Sequence, residues 1–244
     1  MIINNMERLR REMKSAWAGL IFSALVLQGI AARSQVYEKT IVHAGDSISN
    51  HYSYVFPFFQ NATIKFRDGR TFVYKMNFNT VLCDMQFINP KGDTLVVTNA
   101  ELIDSILMDS CSFIYDYQKG YFQILRVSDA ARLAVHRQST YEPVQIGGMG
   151  ESKSSGGVEM INTVTGRQGA FPLVLNQDIY VLKKTSYLVI DKSGATENAG
   201  KAAFMKIYGG DKKSFDQFVK ANKIDFNKQG DLEKLFHFCT QSKN

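Results

Sequence analysis

The 244-residue chain is 45% hydrophobic and 12% aromatic, with a formal net charge of +6. Its first 34 residues hold five of the basic and two of the acidic side chains, so 24 basic and 21 acidic residues remain over 35–244, a net +3. That balance excludes the basic footprint of a nucleic-acid binder, and 210 residues suffice for one domain, or two small ones, with a substantial core.

The N-terminus has the layout of an export signal. Arg8, Arg10, Arg11 and Lys14 form a basic flank, and Ser15 to Ala32 is an uncharged run of 18 residues centred on Leu20–Leu27. Ala32 and Ser34 are the small residues a signal peptidase requires, so cleavage is expected between Ser34 and Gln35. The chain is then exported to the periplasm, the outer envelope or the medium. An uncleaved membrane anchor is the alternative, because 18 residues approach the roughly 20 that span a bilayer. Gly19, Ser23, Gln28 and Gly29 dilute that run, and no Cys follows it to carry a lipid.

After a polar start over 35–50, strand-like segments alternate with turn signals. Tyr52 to Phe59 is a dense aromatic run that Pro57 marks as an edge or bend. Ala62–Phe66 and Thr71–Phe78 flank Asp68-Gly69, a hairpin signal, and Asp84–Ile88 and Thr94–Thr98 flank the turn Asn89–Asp93. Further short strands are expected at Ile103–Leu107, Ser112–Tyr115, Tyr121–Val127 and Leu133–Val135. The pattern dissolves between 139 and 169, where Gly147–Gly157 reads as a flexible Gly/Ser loop. It resumes at Phe171–Leu175, Ile179–Lys183 and Tyr187–Ile190, before the turn Asp191–Gly194.

The C-terminal stretch changes to a helical period. Ala202 to Tyr208 suits one helix, stopped by Gly209-Gly210. Phe215, Phe218 and Val219 mark a second that starts near Asp211 or Ser214, and Asp231 caps a third with Leu232, Leu235, Phe236 and Cys239 on one stripe. Helices this short are not stable alone and must dock. The expected fold is α+β, mostly β: an antiparallel meander forming a roll, sandwich or open barrel over 35–198, with about three helices from 199–244 packed on it.

The chemistry-bearing residues are sparse. His43, His51, His136 and His237 lack ligand spacing, and Cys83, Cys111 and Cys239 do not form a zinc pattern, so no metal and no cofactor is indicated. In an oxidising compartment Cys83–Cys111 is the candidate disulfide; three buried thiols are the alternative. Gly147 to Ser154 resembles a phosphate loop, but Ser155-Gly156-Gly157 follows where a helix must start, which excludes a nucleotide site. Tyr54, Phe56, Phe58 and Phe59 are candidate partner-binding aromatics, set against the simpler reading that they fill the core. Asp46-Ser47-Ile48, Asp93-Thr94-Leu95 and Asp104-Ser105-Ile106 fit the acceptor pattern of O-glycosylation in Bacteroidota, with Ser47, Thr94 and Ser105 as acceptors.

Phe58 to Gly69, Asp84 to Val96, Lys183-Lys184-Thr185 and Ile224 to Leu235 together resemble a type of secreted Bacteroidota protein with no assigned catalytic residues. The resemblance covers most of 35–244. It implies an envelope location and carries no site residue over. The functional expectation is a non-catalytic binding or structural-interaction module whose partner is an envelope protein or a glycan. Its rivals are a periplasmic hydrolase, in which carboxylates or Cys239 converge in a pocket, and a membrane-tethered scaffold that keeps residues 1–34.

Overall fold

The computed structural model describes residues 34–46, 50–144, 163–166, 169–172 and 177–241. The chain divides into two compact units, Met1–Arg33 and Ser34–Asn244. The expected signal, Ser47 and the Gly147–Gly157 loop lie outside the described residues.

The second unit is an antiparallel sheet with a helical layer. Its strands in chain order are β1 (Gln35–Val42), β2 (Gln60–Phe66), β3 (Thr71–Asn79), β4 (Asp84–Ile88), β5 (Thr94–Val96), β6 (Ile103–Met108), β7 (Cys111–Asp116), β8 (Gly120–Val127), β9 (Ala131–Pro143), β10 (Thr163–Gly166), β11 (Gly169–Pro172), β12 (Ile179–Asp191) and β13 (Thr196–Asn198). β10 and β11 form a separate hairpin, and the rest form one 11-stranded sheet in the order β1-β12-β9-β8-β7-β6-β2-β3-β4-β5. β1 and β13 share one edge of β12: β1 runs along 179–186 and β13 along Leu188–Ile190. The α+β, mostly β expectation is met.

Turn chemistry sets the hairpin registers. At Asp68-Gly69, Gly69 takes φ 89° and Asp68 Oδ1 accepts the Arg70 amide at 3.0 Å. Asn89 Oδ1 likewise accepts the amides of Lys91 and Asp93, both at 2.9 Å. The sheet stays open at its edges but curls far over. The Ser139 amide on β9 donates to Thr80 O at 2.8 Å, joining β9 to the β3–β4 turn although four strands separate β9 from β3 in sheet order. Thr80 and Ser139 also pair their hydroxyls at 2.9 Å.

The inner face of this roll holds two cores. One lies within the curl and includes Ile64, Met76, Phe78, Ile106, Phe113 and Tyr121. The other lies under three helices: α1 (Lys201–Tyr208), α2 (Lys212–Ala221) and α3 (Gln229–Gln241). Phe204, Phe215, Leu232, Leu235 and Cys239 pack on Leu133 and Val135 of β9 and on Tyr187 and Val189 of β12. At roughly 2 kcal/mol for each large side chain buried, this shared face offsets the cost of ordering helices too short to stand alone. α1 ends at Gly209 with φ 60°, and Asp211 caps α2 by accepting the Ser214 amide at 2.9 Å.

Several elements differ from their expected form. The polar start is strand β1 from Gln35 onward. β9 and β12 each run unbroken for 13 residues, through stretches read as loop. The aromatic run 52–59 is not a strand: a helical turn at Asn50–Ser53 leads to one bridge, Tyr54 to Asn79, and then to bends. α3 begins at Gln229, so Asp231 lies inside its first turn, where Oδ2 accepts the Asp225 amide at 3.1 Å. The candidate Cys83–Cys111 disulfide is not formed. β6 and β2 stand between β7, which Cys111 opens, and β3, after which Cys83 turns toward β4. A disulfide needs the two Cα atoms within about 7 Å. Instead the Cys83 thiol donates to Thr80 O at 3.4 Å, and Cys111 Sγ accepts from Gln123 Nε2 at 3.1 Å.

Candidate functional site

Side chains two residues apart share a sheet face, so registers show what the inner face carries. Along β9 it reads Leu133, Val135, Arg137, Ser139, Tyr141. Along β12, paired in register, it reads Val189, Tyr187, Thr185, Lys183, Val181. On β1 it continues as Val36, Glu38, Thr40, Val42, with Val36 opposite Thr185 and Glu38 opposite Lys183. The apolar residues at the two ends belong to the helix-covered core and to a small cluster of Val42, Ile179 and Val181 with Tyr52 and Tyr141. Between them an inward-facing polar band of Arg137, Ser139, Lys183, Thr185 and Glu38 interrupts the face.

That band lines a cavity of about 200 Å³, walled on the far side by Tyr54, Val55 and Thr80. The curl of the sheet closes it, since Thr80 and Ser139 are the residues that join β9 to the β3–β4 turn. Tyr54 is held at the wall by its hydroxyl, which donates to Gln86 Oε1 at 2.7 Å; Asn79 Nδ2 donates to the same oxygen at 3.1 Å. Burial raises the Tyr54 pKa, so the phenol stays protonated at neutral pH.

Arg137 is the unusual group. It is half-buried, and burial lowers its pKa from the ordinary value, with Tyr187 and Cys111 acting in the opposite sense. Its guanidinium has five N–H donors. One donates to Gln123 Oε1, and Gln123 Nε2 in turn donates to Cys111 Sγ at 3.1 Å. Among the described residues no carboxylate pairs with it. Taking a guanidinium partly out of water with one neutral acceptor is unfavourable unless a further partner offsets the lost hydration. Lys183 adds a second cation, its Nζ 5.6 Å from the Tyr52 ring centre. The cavity therefore offers directed N–H donors and positive charge.

Two other grooves are less suited to a ligand. The larger, about 530 Å³, lies between the β12–β13 turn and α1. Its Lys206 pairs with Glu197, and Asp191 is consumed by its own turn, accepting from the amides of Ser193 and Ala195 at 2.8 and 3.0 Å. In the groove between β8 and α3, Arg126 is paired with Glu233.

The residues singled out in the sequence scatter. Tyr54 reaches the cavity, Phe56 packs in the core of the curl with its ring 6.3 Å from Phe113, Phe59 rests against Tyr54 at 5.4 Å, and Phe58 is 75% exposed. Thr94 is exposed on edge strand β5, whereas Ser105 is half-buried and donates to Asp104 at 3.3 Å. Ser34 is buried. Cys239, the thiol a hydrolase would have used, lies in the helical core with its pKa pushed up by burial to about 12. No group of three metal-ligating side chains occurs among the described residues, and none of the described helices is long and apolar enough to cross a membrane.

Arg137 and Glu38 were not singled out in the sequence, and Lys183 entered only within the segment Lys183-Lys184-Thr185, with no role at a site. The available signal was two polar pairs, Arg137/Ser139 and Lys183/Thr185, at inward positions of otherwise apolar strands, but only the non-local register of β9 on β12 aligns them. Comparison with known proteins adds no assignment: no family model, no curated protein and no solved structure matches the chain.

Proposed function

We propose that this chain is an exported, non-catalytic binding module that holds the anionic group of a small ligand against Arg137 and Lys183. The observation that carries the reading is the half-buried guanidinium of Arg137, which lines the cavity and donates to the neutral Gln123 Oε1, with no carboxylate paired to it among the described residues. A carboxylate or phosphate there would take two parallel N–H bonds and remove the desolvation cost that Arg137 now bears. Export is supported by the basic flank, the uncharged run Ser15–Ala32 and the small residues Ala32 and Ser34. The resemblance to secreted Bacteroidota proteins agrees with that address.

Thermal unfolding with and without acetate and inorganic phosphate tests the reading. A ligand at 100 times its Kd stabilises by about 2.7 kcal/mol, a rise of several degrees for a domain of this size. The rise should vanish in Arg137→Met. No rise at any anion concentration, or an equal one in the variant, would remove Arg137 from the site.

A further inference from the structure

The two ends of the sheet differ in kind. β5 is only three residues long, a common way of blunting an edge. β1 runs eight residues in unbroken register with β12, without Pro, Gly or a bulge. Its other side pairs with no described strand, and residues 37–41 are all exposed. Such an edge presents N–H and C=O groups to any strand that matches it.

Charges normally guard an open edge. On β1 both central charges have counterparts on β12, behind the edge. Lys39 folds back over its own sheet, its Nζ 3.4 Å from the centre of the Tyr180 ring, and Glu38 has Lys183 as its cross-strand neighbour. What remains in the open on the outer face is Tyr37 and Ile41, 64% and 46% exposed.

These two lie symmetrically about Lys39, which makes the strand its own complement. A two-fold axis normal to the sheet sets residues of the same face opposite each other in an antiparallel pair. With the axis at Lys39, Tyr37 meets Ile41 of a second copy and Ile41 meets its Tyr37. On the inner face Val36 meets Val42, and Glu38 meets Thr40. An axis at Glu38 would oppose two carboxylates, and one at Thr40 would set Ile41 against Lys39 and Val42 against Glu38. The register at Lys39 opposes two lysines instead, but their ammonium groups are the ones drawn back toward Tyr180.

We propose that β1 is a dimer edge, on which two copies of this chain join antiparallel about Lys39 and continue the sheet from one copy into the other. The proposal is independent of the anion-binding reading. A contact this narrow falls at the low end of specific interfaces, so the Kd is on the order of tens of micromolar.

Sedimentation equilibrium of the native protein, from about 1 to about 200 µM, tests it. The protein should pass from monomer to dimer across that range. Ile41→Lys should weaken the dimer roughly tenfold or more, whereas Val127→Lys, at a 67% exposed site on β8, should not. Lys39→Cys brings two thiols face to face with about 5 Å between Cα atoms, within disulfide reach. Mild oxidation should therefore link that variant into a covalent dimer and leave the native protein unlinked. Lys39 and Ile41 are exposed, so unchanged melting temperatures at the lowest concentration check the fold of both variants. A native protein that stays monomeric throughout would overturn the proposal. So would a dimer that Ile41→Lys leaves intact, or a Lys39→Cys chain that fails to cross-link.

Discussion

Ser34 and Tyr187 exchange two hydrogen bonds: the Tyr187 amide donates to Ser34 O, and Ser34 Oγ donates to Tyr187 O, each at 3.0 Å. Tyr187 lies beneath the helical layer, so the first described residue is tied into the helix-covered core. Cleavage between Ser34 and Gln35 would remove it and leave the Tyr187 amide without this partner, at about 1–3 kcal/mol, while Tyr187 O keeps the Ala199 amide at 2.8 Å. A chain beginning at Gln35 should therefore melt several degrees below one beginning at Ser34. Equal melting temperatures would show the pair to be dispensable. Sequencing the N-terminus of the native protein then tells whether processing spares Ser34.

Arg137 separates function from stability. Methionine fills a similar volume without the charge, and replacing a poorly paired buried charge by an apolar group is commonly neutral or stabilising by about 1–4 kcal/mol. Arg137→Met should hold or raise the denaturant midpoint while abolishing anion binding. A structural arginine behaves oppositely: its loss would lower the midpoint by several kcal/mol, and chemical denaturation of the unliganded variant decides between the two.

The sequence showed the hairpins and helices because their signals are local. Asp68-Gly69, Asn89–Asp93 and the Asp211 cap each act within a few residues, and the structure uses each of them. The errors fall where tertiary context overrides local pattern. Lys184-Thr185-Ser186 falls between the two expected strands Ile179–Lys183 and Tyr187–Ile190, yet it is the middle of β12, where the inner face changes from apolar to polar. Arg137-Gln138-Ser139 is the same interruption on β9. The break in pattern is therefore the polar band that lines the cavity between two apolar stretches. Tyr54 to Phe59 misled differently: Pro57 and the pull of two cores turn an aromatic run with strand-like composition into bends.

The three cysteines should differ in reactivity. Cys239 is buried with its pKa near 12, Cys83 is 4% exposed, and Cys111 is half-buried beside Gln123. The thiolate is the attacking species, so a native sample at pH 8 should label at Cys111 first. Cys239 should react only after denaturation. Mass spectrometry of peptides after a short iodoacetamide pulse reads this directly, and early modification of Cys239 would contradict its place under the helices.

His136 sits on the opposite face of β9 from Arg137, 8% exposed, with its Nε2 unpartnered and its ring edge-on to Phe122 at 5.4 Å. Burial first, then Lys184 and Lys119, lower its pKa to about 4, against the weaker pull of Asp116. The folded value lies below the unfolded value near 6.5, so the unfolded chain takes the proton first as pH falls. Stability is full above about pH 6.5, declines through the interval, and levels off below about 4, with a total loss of about 3 kcal/mol. The carboxylates whose pKa values are lowered, Asp68, Asp178, Asp191 and Asp211, lose their contributions only below their unfolded values near 4, so the two effects separate. Urea unfolding at pH 7.5 and 4.5 should show the loss in the native sequence and a much smaller one in His136→Phe, which keeps an aromatic ring among Phe122, Ala134 and Leu188. An identical loss in the variant would assign the acid sensitivity to another group.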